Sequence, residues 1–314
     1  MQRSNKTIIC KEQAGRSLEC WLSGRFSYLT LEQWQTEIKA GRVLLQEEKP
    51  TGLEILEQGN VVEYFPVERP EPAVDLSYQV VFEDQDLLIV NKPGNLPCHP
   101  GGRFFNHTLW ALLKKDYSQF HIINRLDRET SGLIIIALHK KAAAHLSNQI
   151  KNRTVEKWYQ VLVHGVTEPK IDAKGWLSPD TTSEIRKKRV FTFDEPQVDD
   201  KIQTSSTWFK LVRHNNSFSL LDVKLGTGRM HQIRATIFSL GYPVVGDKIY
   251  GLDDQFYLRY IHGELTKQDH RDLVLTRQAL HACALKFCHP VSNESVEFTA
   301  PTPKEFDLVV NCQN

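Results

Sequence analysis

The chain has no apolar run approaching the roughly 20 residues a membrane helix needs, and its N-terminus has no apolar segment of the signal-peptide kind, so it reads as an unexported, cytoplasmic protein with no membrane partner. It also lacks an excess of charge. Lys and Arg number 39 against 38 Asp and Glu, leaving +1, so an RNA partner would have to be met by a local basic surface rather than by the field of the whole chain. Six cysteines fall at no regular spacing, which gives no disulfide framework and suits a reducing cytosol. His281, Cys283, Cys288 and His289 invite a zinc reading. On a strand, however, Cys288 faces away from the other three, and His281 lies about 26 Å from His289 at roughly 3.3 Å per residue. Four ligands each about 2.3 Å from one zinc cannot come from that geometry, and no metal is expected. Gly226-Thr227-Gly228 is not followed by the Lys-Ser/Thr of a phosphate loop, and the full dinucleotide spacing is absent, so no nucleotide cofactor is expected either.

What is present is a chain of 314 residues, enough for a sizeable core and two domains. Residues 1–14 have no clear period and are expected to be a loose tail. Residues 15–65 mix a helical pattern (Leu31, Trp34, Ile38) with short strand-like pieces and form a small domain. Residues 66–76 carry Pro66, Pro70 and Pro72, which remove donors and resist helix, so this segment is expected to be an extended linker. Residues 77–314 read as an α+β domain dominated by antiparallel strands. Val80-Val81-Phe82 and Leu87–Val90 flank a turn, Trp208–Val212 and Phe218–Val223 flank Asn215-Asn216, and the alanines of Lys141–Lys151 predict a helix.

The most informative stretch is Asn124-Arg125-Leu126-Asp127-Arg128-Glu129-Thr130-Ser131-Gly132, which precedes the apolar run Leu133–Leu138. That run predicts a buried strand, and a strand fixes the loop feeding it. Asp127 is the candidate nucleophile. Arg125 and Arg128 flank it and are expected to keep it ionised. By charge alone the same run reads as a solvated turn. Downstream, Ile233, Ile237 and Leu240 predict one face of a helix opening after Gly228, with His231, Arg234 and Phe238 on a second stripe. Arg186-Lys187-Lys188-Arg189 is a basic cluster that reads either as a solvated loop or as a local RNA-binding surface.

The loop closely resembles the active-site signature of the RluA-like pseudouridine synthases, with Asn124 where that family usually has His. The resemblance runs in matching order from about Tyr78 to Pro303. It continues through Asp86–Gly94 and His99-Pro100-Gly101, Lys157–Gly165, Gly226–Arg234, Gly246-Asp247-x-x-Tyr250-Gly251, and Leu280-His281-Ala282 with Phe287, His289 and Pro290. It implies a mixed, mainly antiparallel catalytic domain that isomerises uridine in structured ribosomal or transfer RNA, without a cofactor; nothing in the sequence requires an assembly, and a monomer is expected. It also implies roles: Asp127 as nucleophile, Arg234 as its ion-pair partner, and Tyr159 as the tyrosine stacking on the target base. Arg125 would fill the space left by a flipped base or hold the backbone, with Arg128, Arg229, His231 and the cluster 186–189 as further RNA contacts. Residues 15–65 loosely resemble the S4-type RNA-binding module, through Ser17–Leu22, Ile38–Val43 and Leu56–Val62. Glu47, Glu48, Glu54 and Glu57 depart from that module, and a domain-packing role stays open beside RNA binding.

Two other classes compete. A glycoside hydrolase also cuts at C1′ but ordinarily needs a second carboxylate opposite the first, where these motifs offer arginine and tyrosine. A non-catalytic RNA-binding or ribosome-assembly factor on the same fold would tolerate loss of Asp127, Tyr159 or Arg234, yet all three are present.

Overall fold

In the computed structural model, which describes residues 4–26, 29–67, 70–196 and 201–311, the chain divides into two units, Met1–Glu71 and Pro72–Asn314. The smaller contains β1 (Asn5–Ile8), α1 (Leu18–Arg25), α2 (Leu31–Lys39), β2 (Val43–Leu45) and β3 (Val61–Tyr64), with the strands in the antiparallel order β1-β3-β2. Thr30 and Gln33 close a reciprocal capping box at the start of α2, and Trp34 and Ile38 then fall on its buried side. Glu37 is buried beside them, taking two hydrogen bonds from Arg42 and one from the Tyr64 hydroxyl.

The loose tail expected over residues 1–14 is corrected. Asn5–Ile8 pair with Val61–Tyr64, and Ile9 is buried behind them. A four-residue edge strand with mostly exposed side chains leaves too little alternation to be legible in sequence. The segment 66–76 carries no helix or strand among its described residues, and Glu68 and Arg69 lie outside them.

The larger unit is built around β7 (Ser131–Ala137), whose seven residues are all buried. Its side chains alternate between two cores. Ile134 and Ile136 join Leu88 and Val90 on one side. Leu133, Ile135 and Ala137 join Leu87, Ile89 and the helix residues Ala142 and Leu146 on the other. A strand covered on both faces has to read as a continuous apolar run, and each such Ile or Leu contributes ~1.5–3 kcal/mol on burial.

Around β7 run β4 (Gln79–Glu83), β5 (Leu87–Lys92), α3 (Leu109–Asp116), β6 (His121–Ile122), α4 (Lys140–Lys151), β8 (Glu156–His164), β9 (Lys170–Pro179), β10 (Arg189–Thr192), β11 (Gln203–His214) and β12 (Phe218–Leu225). They are followed by α5 (Gln232–Ser239), α6 (Gln255–His262), α7 (Lys267–Leu273), β13 (Leu280–Cys288), β14 (Ser295–Thr299) and α8 (Lys304–Asn311). The strands form one sheet in the order β10-β9-β11-β12-β8-β13-β7-β5-β4, with β14 on β13 and β6 on β7. Both expected hairpins form. Among the described residues only β13 and β7 pair in parallel, through His281 with Ser131 and Ala282 with Gly132, which makes this an α+β fold on a mixed, mainly antiparallel sheet. Gly132 is required there. Its φ is +116°, and a Cβ would lie 2.3 Å from the Ala282 carbonyl oxygen.

Candidate active site

The loop before β7 is clamped from several sides. Leu126 exchanges hydrogen bonds with the Cys98 thiol in both directions. The Arg128 carbonyl accepts from Leu96 N–H and from the buried Lys92 ammonium, and Thr130 receives the Gln278 amide. Asn124 completes the clamp. Its Oδ1 accepts the Ile135 N–H at 2.7 Å and its Nδ2 donates to the Leu133 carbonyl at 3.4 Å, so the amide takes the place of a neighbouring strand. The position where the family usually has His is thus turned inward onto β7.

Facing the loop is the turn 226–231. Gln232 organises it with four hydrogen bonds, accepting from Thr227 Oγ1 and Arg229 N–H and donating to Ser206 O and Thr207 Oγ1. The expected helix therefore opens at Gln232, not after Gly228, with His231 as a left-handed cap at φ 56°. Ile233 and Ile237 are buried as expected, and Leu240 caps the far end.

From the first turn of α5, Arg234 reaches across to two carboxylates. Nη1 donates to Asp127 Oδ2 at 2.7 Å, while Nε and Nη2 grip Asp247 at 2.6 and 2.8 Å. The Asp247 side chain is 0 % exposed and also accepts the Ile249 and Tyr250 N–H groups. The Asp127 side chain is 33 % exposed, and its Oδ1 has no hydrogen-bond partner among the described residues. Burial raises the pKa of both carboxyls, but the charge and hydrogen bonds of Arg234 outweigh it, so both lie below the usual range. Burial likewise opposes the Arg234 charge and is outweighed by Asp247 and then Asp127, so Arg234 holds its proton more firmly than a free guanidinium.

His231 Nε2 lies 3.9 Å from Asp127 Oδ1. Its Nδ1 meets the Tyr250 hydroxyl at 3.0 Å, and that hydroxyl accepts the Arg189 N–H. The arrangement that satisfies all three leaves the ring proton on Nε2, facing Asp127. Burial, then Arg234, pushes His231 down to about 4, so at neutral pH the ring is uncharged and Arg234 is the cation holding Asp127. Tyr159, on β8 and 8 % exposed, has its pKa raised by burial and then by Asp127, so it stays a neutral phenol.

Six of the sequence candidates, Asp127, Tyr159, Arg234, Arg125, Arg229 and His231, line one pocket. Arg125 is exposed at its mouth, and Arg229 Nε reaches the Thr204 carbonyl. Arg186 and Lys187 are exposed, and the Lys187 charge contributes to lowering His231. Two expectations are corrected. Arg128 lies over the rings of Phe104 and Tyr260 and donates to Glu129 and the Tyr260 hydroxyl, so its guanidinium is committed away from Asp127. Lys188 is 3 % exposed, over the Phe238 ring and paired with Asp254, which removes it from the basic surface. Arg189 begins β10. Sequence reasoning missed Asp247, Tyr250 and Gln232 as parts of the site, although all three lie within the quoted motifs.

One group outside the pocket has metal-like spacing, Asp84, Asp86 and His289. His289 Nδ1 accepts the Ser292 N–H, which leaves the proton on Nε2 for donation to Asp84 at 3.0 Å. A nitrogen that carries a proton offers no lone pair to a cation, and this cluster reads as a capped hairpin turn.

The family pattern described as RNA pseudouridylate synthase matches residues 86–238. An RNA pseudouridine synthase of Chlorobaculum parvum, described as uncharacterized, is 30% identical over 316 residues, covering 96% of this chain and 95% of that protein. Ribosomal large subunit pseudouridine synthase D of Vibrio cholerae is 32% identical, covering 74% of this chain and 70% of its own. Among solved structures, Human RNA Pseudouridylate Synthase Domain Containing 1 superposes with a TM-score of 0.58 at 28% identity, covering 74% of this chain and 87% of that one.

Proposed function

The chain belongs to the RNA pseudouridylate synthase family and isomerises uridine in RNA, and from that premise we propose that Asp127 is its nucleophile and that its substrate is a structured ribosomal RNA, with transfer RNA as the alternative. The reaction breaks N1–C1′, turns the base and joins C5 to C1′; the C5 proton leaves and N1 gains one, so atoms balance without a redox partner. Asp127 acts at the sugar or on the base through Oδ1. The single observation behind this reading is that Asp127 is the one carboxylate lining the pocket among the described residues, held ionised on Oδ2 with Oδ1 free. A positioned carboxylate is a competent covalent nucleophile. Among the described residues that line the pocket, the inverting or retaining pair of a glycosidase has no second member, since Asp247 is fully buried and paired with Arg234.

Tyr159 offers the base a ring face and, as a neutral phenol, can donate a proton but not accept one. A base within a helix cannot enter such a pocket, so the target is flipped out, at a few kcal/mol of unstacking, and Arg125 at the mouth takes its place or holds the backbone. Ribosomal RNA is favoured because relatives such as the Vibrio cholerae protein bear that substrate in their names. We read residues 15–65, two helices followed by short strands, as an S4-like module serving the same substrate. The enzyme is read as cytoplasmic and as acting as a monomer.

The test is a pseudouridine map of total RNA from cells lacking the gene, complemented with wild type or Asp127→Ala. A site that returns only with wild type supports the reading and identifies the substrate. Sites that return equally with both proteins would end the case for Asp127.

A further inference from the structure

Lys157 stands on β8 two residues before Tyr159, so both side chains leave the strand on the same face. On the turn next to Arg229, a Cβ built on Gly228 would lie 3.4 Å from the Lys157 ammonium. The cation therefore rests against the turn whose Arg229 and His231 line the pocket. Its neighbours on β8 are engaged, since Glu156 pairs with Lys224 at 2.6 Å and Lys224 lies over the Trp158 ring. The Lys157 side chain itself has no hydrogen bond, ion pair or ring contact among the described residues. It is only half-buried, yet burial lowers its pKa with no carboxylate to offset the effect.

Burial at this position works against the charge of the lysine. Its long stem ordinarily carries the charge out to water or to a counter-ion. Arg234, the buried cation of the pocket, is by contrast held between two carboxylates. An ammonium without a counter-ion, set against the turn that carries Arg229 and His231 into the pocket, matches an anion that arrives with the substrate.

We propose that Lys157 binds a backbone phosphate flanking the target uridine and so seats the nucleotide over Asp127, an inference that rests on the uridine-isomerase reading. A phosphate contact is made equally in the ground and transition states, so its loss raises KM and leaves kcat. It also releases counter-ions, so its loss lowers the logarithmic salt slope by about 0.7–0.9.

The experiment uses full-length protein and RNA labelled with tritium at uridine C5, taken from cells lacking the gene. Joining C5 to C1′ releases the label to water, which counts turnovers. Lys157→Gln is expected to raise KM about tenfold, keep kcat within about twofold and flatten the salt slope by about 0.8. Lys157→Arg should stay near wild type, and Lys157→Gln should melt at or above it. Unchanged KM and salt slope, a kcat loss at constant KM, failure of arginine to substitute, or melting below wild type would each overturn the assignment. Wild-type protein that releases no tritium from this RNA would instead overturn the uridine-isomerase reading.

Discussion

Asp247 never touches the pocket, yet the arrangement makes it the residue on which Asp127 depends, and Asp247→Asn tests this. The substitution keeps the shape and the two backbone N–H contacts at Ile249 and Tyr250. It removes the charge opposite Arg234, whose side chain is only 4 % exposed and which makes two of its three carboxylate bonds to Asp247. Charged hydrogen bonds contribute about 1.5–3 kcal/mol each, and the asparagine oxygen retains one weakened acceptor. The expected loss is about 3 kcal/mol, at the low end for a broken buried pair, because Arg234 keeps Asp127. For a unit of this size that is roughly 6–12 °C in melting temperature.

The effect on turnover has a different origin. The Asp247 charge raises the pKa of Asp127, so removing it makes Asp127 no less ionised. Activity should fall because the guanidinium loses its two-point anchor, and a displacement of ~1 Å at a reacting group is worth about 10²-fold. The assays are thermal melting and tritium release as a function of pH. A kcat about 100-fold lower, with the acid limb of the profile not moved upward, fits the reasoning. A variant that melts within about 2 °C of wild type and turns over at wild-type rate would refute it.

Two further outcomes follow from the same geometry. His231 and His281 are both buried and both pushed down to about 4, against an ordinary value of about 6.5. Their folded pKa lies below the unfolded one, so their contribution is complete above about pH 6.5 and is lost as pH falls toward 4, at up to ~1.4 kcal/mol per pH unit each. Urea melts between pH 7 and 4.5 should show this slope, reduced by about half in His281→Gln; a flat profile down to pH 5 would contradict it. Asn124→Ala leaves a buried β7 N–H and carbonyl unpaired, at about 1–3 kcal/mol, and should speed hydrogen exchange at the Ile135 amide more than about tenfold. Asn124→Asp, which keeps the acceptor, should retain much of the protection.

The parts of the fold legible in sequence are those whose patterns are local. β7 declared itself because a strand between two cores has no polar face, and the β11–β12 hairpin because its turn and flanks are contiguous. The N-terminal edge strand was not legible, since pairing with a strand more than fifty residues away supplies what its composition lacks. The site divides in the same way. Asp127 and Arg234 were found through their motifs, but the alternation Arg125-Asp127-Arg128 suggested that sequence neighbours hold the carboxylate. In an irregular turn, adjacent side chains point apart. Arg128 goes to Tyr260, and the cation that holds Asp127 comes from 107 residues further on. Lys188 misled for a similar reason, because one residue of a basic run can be turned inward while Arg186 and Lys187 stay in water.

The asymmetry of the two carboxylates around Arg234 accounts for their division of labour. One guanidinium serves both, which a lysine could not do, since a point charge lacks the rigid fork that grips one partner with two donors and still presents a third. Asp247 takes two of those donors and two backbone N–H groups, so its lone pairs are spent on binding and it is fixed, dry and unreactive. Asp127 takes one donor, on Oδ2, and keeps Oδ1 for the pocket. Arg234 therefore does two opposite things with one charge. It lowers the basicity of Asp127, which costs nucleophilicity, and it keeps the group ionised at the pH of use and aimed at one point. Anchoring by Asp247 tips this balance toward reaction, because a guanidinium shared with a second carboxylate draws less charge from the first. Asp247 is in that sense both the buried anchor of Arg234 and the group that keeps the guanidinium from drawing more charge out of Asp127.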